Sequence, residues 1–144
     1  MLKRLFPLLA VVACSTGPPD EGAVDLLVRS DKPSYSLSVD QSAVPVLINR
    51  SGRPVYLPMN EYVAVERLAD GAWQQGVVWF TVDGDGVSFR LDSGDSVDAM
   101  PMDFAYIDRE PGQYRFVFEV ALDPLGHTRL PYSATRSAPF EVRP

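Results

Sequence analysis

Strict alternation of apolar and polar residues is the feature that most restricts what this chain can fold into. The clearest run places Tyr114, Phe116, Phe118 and Val120 on one side of a predicted strand. Successive side chains of a strand point to opposite faces, so such a run offers one apolar face to a core. Three earlier runs predict core-facing sets in the same way: Val24, Leu26 and Val28; Tyr35, Leu37 and Val39; Val44, Val46 and Ile48.

Turn signals separate these runs, and no stretch shows the period of a helix. Thirteen prolines and ten glycines interrupt the 144 residues, as at Asn49–Gly52, Asp83–Gly86 and Glu110–Gln113. Short strands at this spacing predict an all-β antiparallel sandwich or barrel.

The first 14 residues have the organisation of a bacterial export signal. Lys3 and Arg4 precede a nine-residue apolar run, Leu5–Ala13, which is too short to span a bilayer. The segment Val11–Cys14 resembles the bacterial lipobox. The resemblance implies a signal peptide over residues 1–13 and attachment of a diacylglyceryl group to Cys14. The alternative is an ordinary signal peptide cut after Ala13, which would leave an exposed reactive thiol.

Residues 14–22 then form the lipidated cysteine and a flexible tether that is rich in Pro and Gly. We therefore expect a cell-envelope location, with the membrane as a partner through the lipid at Cys14. By resemblance to bacterial sorting rules, Ser15 rather than Asp after the cysteine favours the outer membrane where the bacterium has one.

Five segments in order resemble the bacterial Ig-like domains of secreted lipoproteins. They are Asp31–Ser36, Val46–Gly52, Val65–Trp73, Leu91–Ser96 and Glu110–Phe116. The resemblance implies an antiparallel immunoglobulin-like β-sandwich of about seven to nine strands over residues 23–144. It implies no established enzymatic activity.

Three residues are expected to have structural roles in such a sandwich. Gly112 followed by Tyr114 before a strand predicts a tyrosine corner, in which glycine permits the bend and the hydroxyl bonds to loop backbone. Trp73 is expected to pack in or near the core.

Candidate chemistry is sparse. His127 is the one histidine, and no nucleophile motif accompanies it, so we expect a loop histidine and no enzyme. Asp83 and Asp85 are weak calcium candidates, because alternate carboxylates occur in calcium loops, but no further ligand follows at the spacing of an EF-hand and a hairpin turn is the preferred interpretation. No cofactor is expected. The formal net charge of −6 argues against nucleic acid as a partner.

The sequence therefore predicts a membrane-anchored lipoprotein whose Ig-like domain is a non-enzymatic binding or structural module for an unknown envelope or extracellular protein. An alternative is a proteinase-inhibitor-like protein, for which Asp123–Ser137 is the long candidate loop. A carbohydrate binder or an enzyme is a third hypothesis, and it requires a concave pocket with convergent polar or aromatic groups.

Overall fold

The computed structural model describes residues 23–58, 63–79 and 88–144. Within these ranges the chain forms twelve strands and two short 3-10 helices, Phe104–Ile107 and Tyr132–Ala134. The strands are β1 (Leu26–Ser30), β2 (Ser34–Ser36), β3 (Ser42–Ala43), β4 (Pro45–Asn49), β5 (Val55–Leu57), β6 (Val63–Ala69), β7 (Ala72–Trp79), β8 (Phe89–Leu91), β9 (Ser96–Asp98), β10 (Met102–Asp103), β11 (Gly112–Phe118) and β12 (Phe140–Arg143).

The strands form two layers, which confirms the predicted all-β, sandwich-like fold. One layer is a five-stranded sheet in the order β2-β12-β11-β6-β7. The other contains the three-stranded sheet β1-β4-β9 and the two-stranded pairs β10-β3 and β5-β8. Core side chains come from both layers, with Val28 and Leu47 on one side and Val65 and Phe116 on the other.

The described strands are shorter and more numerous than the sequence predicts, because local backbone chemistry interrupts them. The N–H of Val44, between β3 and β4, bonds to the carboxylate of Asp31 at 2.7 Å and therefore does not pair with a neighbouring strand. Pro101 stands between β9 and β10 and has no N–H to offer.

One strand pair departs from the predicted antiparallel arrangement. β2 pairs with β12 in parallel, with Tyr35 opposite Val142. The chain crosses from one layer to the other between β1 and β2. The hydroxyl of Tyr35 contacts Ser30 and Asp31 and fastens this crossing.

Aromatic rings dominate the centre of the core. The Tyr35 and Phe104 rings meet edge to face at 5.4 Å, and those of Phe116 and Phe140 lie 4.7 Å apart. Tyr114, Phe116, Phe118 and Val120 all belong to the core cluster, as their alternation predicts.

The run through Tyr35, Leu37 and Val39 ends earlier than its alternation predicts. β2 stops at Ser36, and Val39 is 80% exposed. The N–H groups of Val39 and Asp40 both bond to the carbonyl of Ser36, which makes a turn. The carboxylate of Asp40 accepts the N–H of Ser36 at 2.9 Å and holds that turn.

β4 is buried on both faces along most of its length, and not on one face only as predicted. Leu47 belongs to the core cluster and Val46 is also buried, at 4% exposed, whereas Ile48 is only partly buried. The apolar run Val44–Ile48 contains no polar residue to mark the outward face, so alternation alone could not choose between the two faces.

β4 ends at a polar residue, Asn49. It is fully buried, and its amide donates to the carbonyls of Arg53 and Leu91 at 2.9 and 3.1 Å. Its side-chain oxygen accepts the N–H of Ser51 at 3.0 Å. A buried amide with its hydrogen bonds satisfied fixes the turn between β4 and β5.

Candidate functional site

The strand register brings the ends of several strands to one end of the sandwich. Val63, the first residue of β6, pairs with Phe118 at the end of β11 and with Trp79 at the end of β7. Leu57, at the end of β5, pairs with Phe89 at the start of β8. We call the described residues here, Ser88, Phe89 and Asp123–Thr128, the loop end.

The carboxylate of Asp123 organises this end. Its Oδ1 accepts the N–H groups of Leu125 and His127 at 3.0 and 3.2 Å, and its Oδ2 accepts that of Thr128 at 2.6 Å. These donors, with Thr128 contributing most, hold the pKa of the Asp123 carboxyl below its usual value. Gly126 has a φ of +73°, which glycine adopts without strain. We call this arrangement the Asp123 clamp.

Further hydrogen bonds attach the clamped loop to the sandwich. The N–H of Leu122 bonds to the carbonyl of Thr128 at 2.8 Å, and that of Leu130 bonds to the carbonyl of Val120 at 2.8 Å. The Ser88 hydroxyl donates to the carbonyl of Pro124 at 2.7 Å. Hydrogen bonds therefore hold the loop both at its base and through the contact of Pro124 with Ser88.

The clamped loop presents an apolar tip to solvent. Leu125 is 76% exposed, and Phe89 beside it is also exposed. His127 is exposed too, with its Nδ1 at 3.9 Å from Asp123 Oδ1. A well-ordered loop that holds a leucine in water is an arrangement suited to contact with a ligand.

The last residues of the predicted loop Asp123–Ser137 do not project. Thr135 and Ser137 are buried and continue the pairing of β11. The carbonyl of Thr135 accepts the N–H of Phe118 at 3.0 Å, and the N–H of Ser137 bonds to the carbonyl of Phe116 at 2.8 Å. Tyr132, between the two parts, is 53% exposed, so the part of the loop that is withdrawn from the surface is Thr135–Ser137.

At the other end of β11, the Tyr114 hydroxyl donates to the carbonyl of Glu110 at 2.7 Å, the geometry of a tyrosine corner. The bend itself differs from the expected one. Asp108 and Arg109 adopt φ values of +55° and +51°, whereas Gly112 lies within β11 outside the positive-φ region. The left-handed turn is therefore made by these two residues.

Trp73 lies outside the core that was expected to contain it. It is half-buried in β7, and the guanidinium of Arg115 stacks over its ring at 4.1 Å. Arg115 also pairs with Glu66 at 2.6 Å, with both side chains largely shielded from water. An arginine that covers an indole lets the aromatic occupy the outer face of the sheet.

The remaining predicted site residues lie outside the described ranges. These are Cys14, the tether over residues 14–22, and the calcium candidates Asp83 and Asp85. Among the described residues, no cluster of three or more His, Cys, Asp or Glu side chains is placed to hold a metal ion. No helix in the described ranges has the length and apolar character needed to cross a bilayer.

No protein-family model and no curated protein matches the sequence. Among solved structures, the chain is similar to the alkylpurine DNA glycosylase AlkC of Pseudomonas fluorescens bound to DNA containing an abasic site analog. The identity is 15% and the TM-score is 0.44. The match covers 84% of this chain and 30% of the glycosylase chain, so this chain spans less than a third of that protein.

This finding corrects two expectations, namely that the chain is not an enzyme and that nucleic acid is not a partner. The similar structure is an enzyme bound to DNA. The expectation about nucleic acid rested on net charge, which is a sum that does not describe local electric fields. The expectation about enzymatic activity rested on the lack of a catalytic motif, although a fold can assemble an active site from residues that form no motif. Both expectations are withdrawn. A likeness at this TM-score assigns neither property to the chain.

Proposed function

We propose that this chain is a lipoprotein of the bacterial cell envelope whose Ig-like domain binds a ligand through the loop end. The observation that carries the proposal is the Asp123 clamp, which holds Leu125 in an ordered and exposed position. Ordering a loop before it binds removes part of the entropy cost of association. An apolar tip of this kind fits a pocket that excludes water.

The described chain also begins near the loop end. Asp25 exchanges hydrogen bonds with Ser51, and the Arg53 guanidinium reaches the carbonyl of Leu122 at 3.4 Å. The predicted tether Ser15–Gly22 would reach roughly 26 Å when fully extended. With a lipid at Cys14, the loop end would face the membrane, and the ligand would be a molecule close to the membrane surface.

The anchoring part of the proposal is tested in a bacterial host that expresses the full chain. An alkyne-tagged fatty acid should label the protein, and Cys14→Ser should abolish the label while leaving the domain folded. Labelling that persists in Cys14→Ser, or no label in either protein, would remove the anchor from the proposal.

The binding part is tested by affinity capture from the native envelope with the acylated full chain. The matched variants are Leu125→Asp and Val39→Asp, because both residues are similarly exposed, at 76% and 80%. Val39 follows β2 at Ser36, which pairs with Arg143 at the end of β12, far from the loop end. A captured protein that is lost with Leu125→Asp and kept with Val39→Asp supports the proposal. Capture of nucleic acid, or equal capture by all three proteins, contradicts it.

A second candidate function, proteinase inhibition, is favoured by the same loop. An inhibitor requires a rigid, exposed segment that resists cleavage, and the Asp123 clamp provides rigidity around Leu125. A protease with an apolar specificity pocket would be the target class. A panel of such proteases, incubated with the full chain and with Leu125→Asp, tests it. Rapid cleavage beside Leu125 without inhibition would exclude this function.

A further inference from the structure

Among the described strands, β7 lies at the edge of its sheet and lacks most of the usual protection against pairing. No strand pairs with its outer side among the described residues. Its eight residues, Ala72–Trp79, include no charged residue and no proline. Natural proteins commonly protect exposed edges with charge, proline or a bulge. Of these protective features, the described part of β7 has a bulge, which lies opposite Val65.

A small groove lies beside this edge. It has a volume of about 160 Å³ and runs between β7 and the 3-10 helix Phe104–Ile107. Its apolar lining includes Val65, Val77, Tyr106 and Ile107. Tyr106 is 51% exposed and Val77 is partly exposed, so the apolar wall is open to solvent. The groove has room for one branched aliphatic side chain.

Polar groups at the groove specify what could enter it. The Arg67 Nε is buried and has no hydrogen-bond partner among the described residues, although its guanidinium pairs with Glu110 through Nη1. Because this nitrogen is closed to solvent, it is not itself a contact for a ligand in the groove. Asp108 also lines the groove. The charged groups of the groove are therefore the carboxylates of Asp108 and Glu110 and the guanidinium of Arg67.

We propose that the open edge of β7 and this groove bind an extended, positively charged segment of a partner protein by β-strand addition. Main-chain bonds to β7 would provide affinity, and an apolar side chain in the groove would provide specificity. The excess carboxylate at the groove favours a basic segment.

This surface is separate from the loop end, so the two proposals can fail independently. The test titrates the full chain against a fluorescent peptide as long as β7, with Lys at both ends and alternating Val and Thr between them. One control peptide has Glu in place of both Lys residues. A second has proline in place of every Thr, which removes the N–H groups needed for pairing.

The Lys peptide should bind saturably, the Glu peptide at least about tenfold more weakly at low ionic strength, and the proline peptide not at all. Tyr106→Ala should weaken binding of the Lys peptide by about fivefold or more, as expected for loss of an aromatic contact. Val39→Ala should have no effect. Binding should also slow hydrogen exchange at the outward amides of β7.

Three results would overturn the proposal. The first is no binding of the Lys peptide to the full chain. The second is binding that Tyr106→Ala leaves unchanged. The third is a dimer in sedimentation experiments without peptide that Val77→Asp dissociates, because the edge would then belong to a second copy.

Discussion

The carboxylate of Asp123 accepts a 2.6 Å hydrogen bond from the backbone N–H of Thr128, five residues further along the chain. This bond closes the loop whose tip is Leu125. Because Oδ1 accepts two more N–H groups from inside the loop, one side chain fixes the conformation of the whole segment.

Removing the clamp should loosen the tip without unfolding the sandwich. Asp123→Ala leaves three backbone N–H groups without their acceptor, whereas Asp123→Asn keeps one side-chain oxygen. We expect nitrogen relaxation measurements to show large motion at Leu125 in Asp123→Ala and intermediate motion in Asp123→Asn. His127→Ala is the matched control, since it keeps the N–H that bonds to Asp123 and removes a side chain whose Nδ1 lies 3.9 Å from Oδ1, beyond hydrogen-bond distance. Equal order at Leu125 in all four proteins would show that the clamp is unnecessary.

Loop order should persist into acid. The N–H donors lower the pKa of Asp123 in the folded protein. The stabilisation is therefore fully present above the unfolded pKa, near 3.9, and is lost as pH falls through the lower folded value. Hydrogen exchange at the Thr128 amide, corrected for the intrinsic pH dependence, should stay slow at pH 5 and become fast only below about pH 4. Loss of protection near neutral pH would contradict this assignment.

The tyrosine corner should contribute measurably to stability. Tyr114→Phe removes the hydroxyl that donates to the Glu110 carbonyl. We expect the free energy of unfolding to fall by about 1 kcal/mol, the usual net value of such a bond, in urea denaturation with an unchanged m-value. Tyr132→Phe, at an exposed position, is the control and should change stability little. Equal effects of the two substitutions would argue against a role for the corner.

Gly76 is required by a close approach of two backbones in the β7 bulge. A Cβ at this position would lie 3.0 Å from the carbonyl oxygen of Val65 and 3.2 Å from its Cγ1. Gly76→Ala should therefore destabilise the protein by about 1–3 kcal/mol, as overpacking does. Gly52→Ala meets no atom within 4 Å among the described residues and is the control. Thermal unfolding of the two variants separates the steric effect from the general effect of replacing glycine.

The sequence predicts the core best where apolar and polar residues alternate cleanly. The core face predicted for the run from Tyr114 to Val120 is correct, because the polar residue Arg115 marks the opposite face. The continuous apolar run of β4 carries no such mark, and the structure buries Leu47 on the face predicted to point outward as well as Val46 on the other. Trp73 was misplaced for a related reason, since its neighbours in sequence do not reveal that Arg115, on another strand, covers its ring.

The candidate site was only partly predictable. The sequence marks Asp123–Ser137 as a loop through Pro124, Gly126 and Pro131, but it does not separate the projecting part from the part that pairs with β11. The order Asp-Pro-x-Gly is a local signal that could have identified the clamp, because aspartate often bonds backbone N–H groups in turns. The parallel pairing of β2 with β12 joins distant segments and has no local signal.

Site-specific photocrosslinking in living cells tests the central claim most directly. A photoreactive amino acid replaces Leu125 in one full-length variant and Val39 in another, since both positions are exposed and lie at opposite ends of the sandwich. The account predicts a discrete crosslinked protein from position 125 and none of that mass from position 39. Crosslinks from 125 to lipid alone, or identical products from both positions, would contradict a ligand-binding role for the loop end.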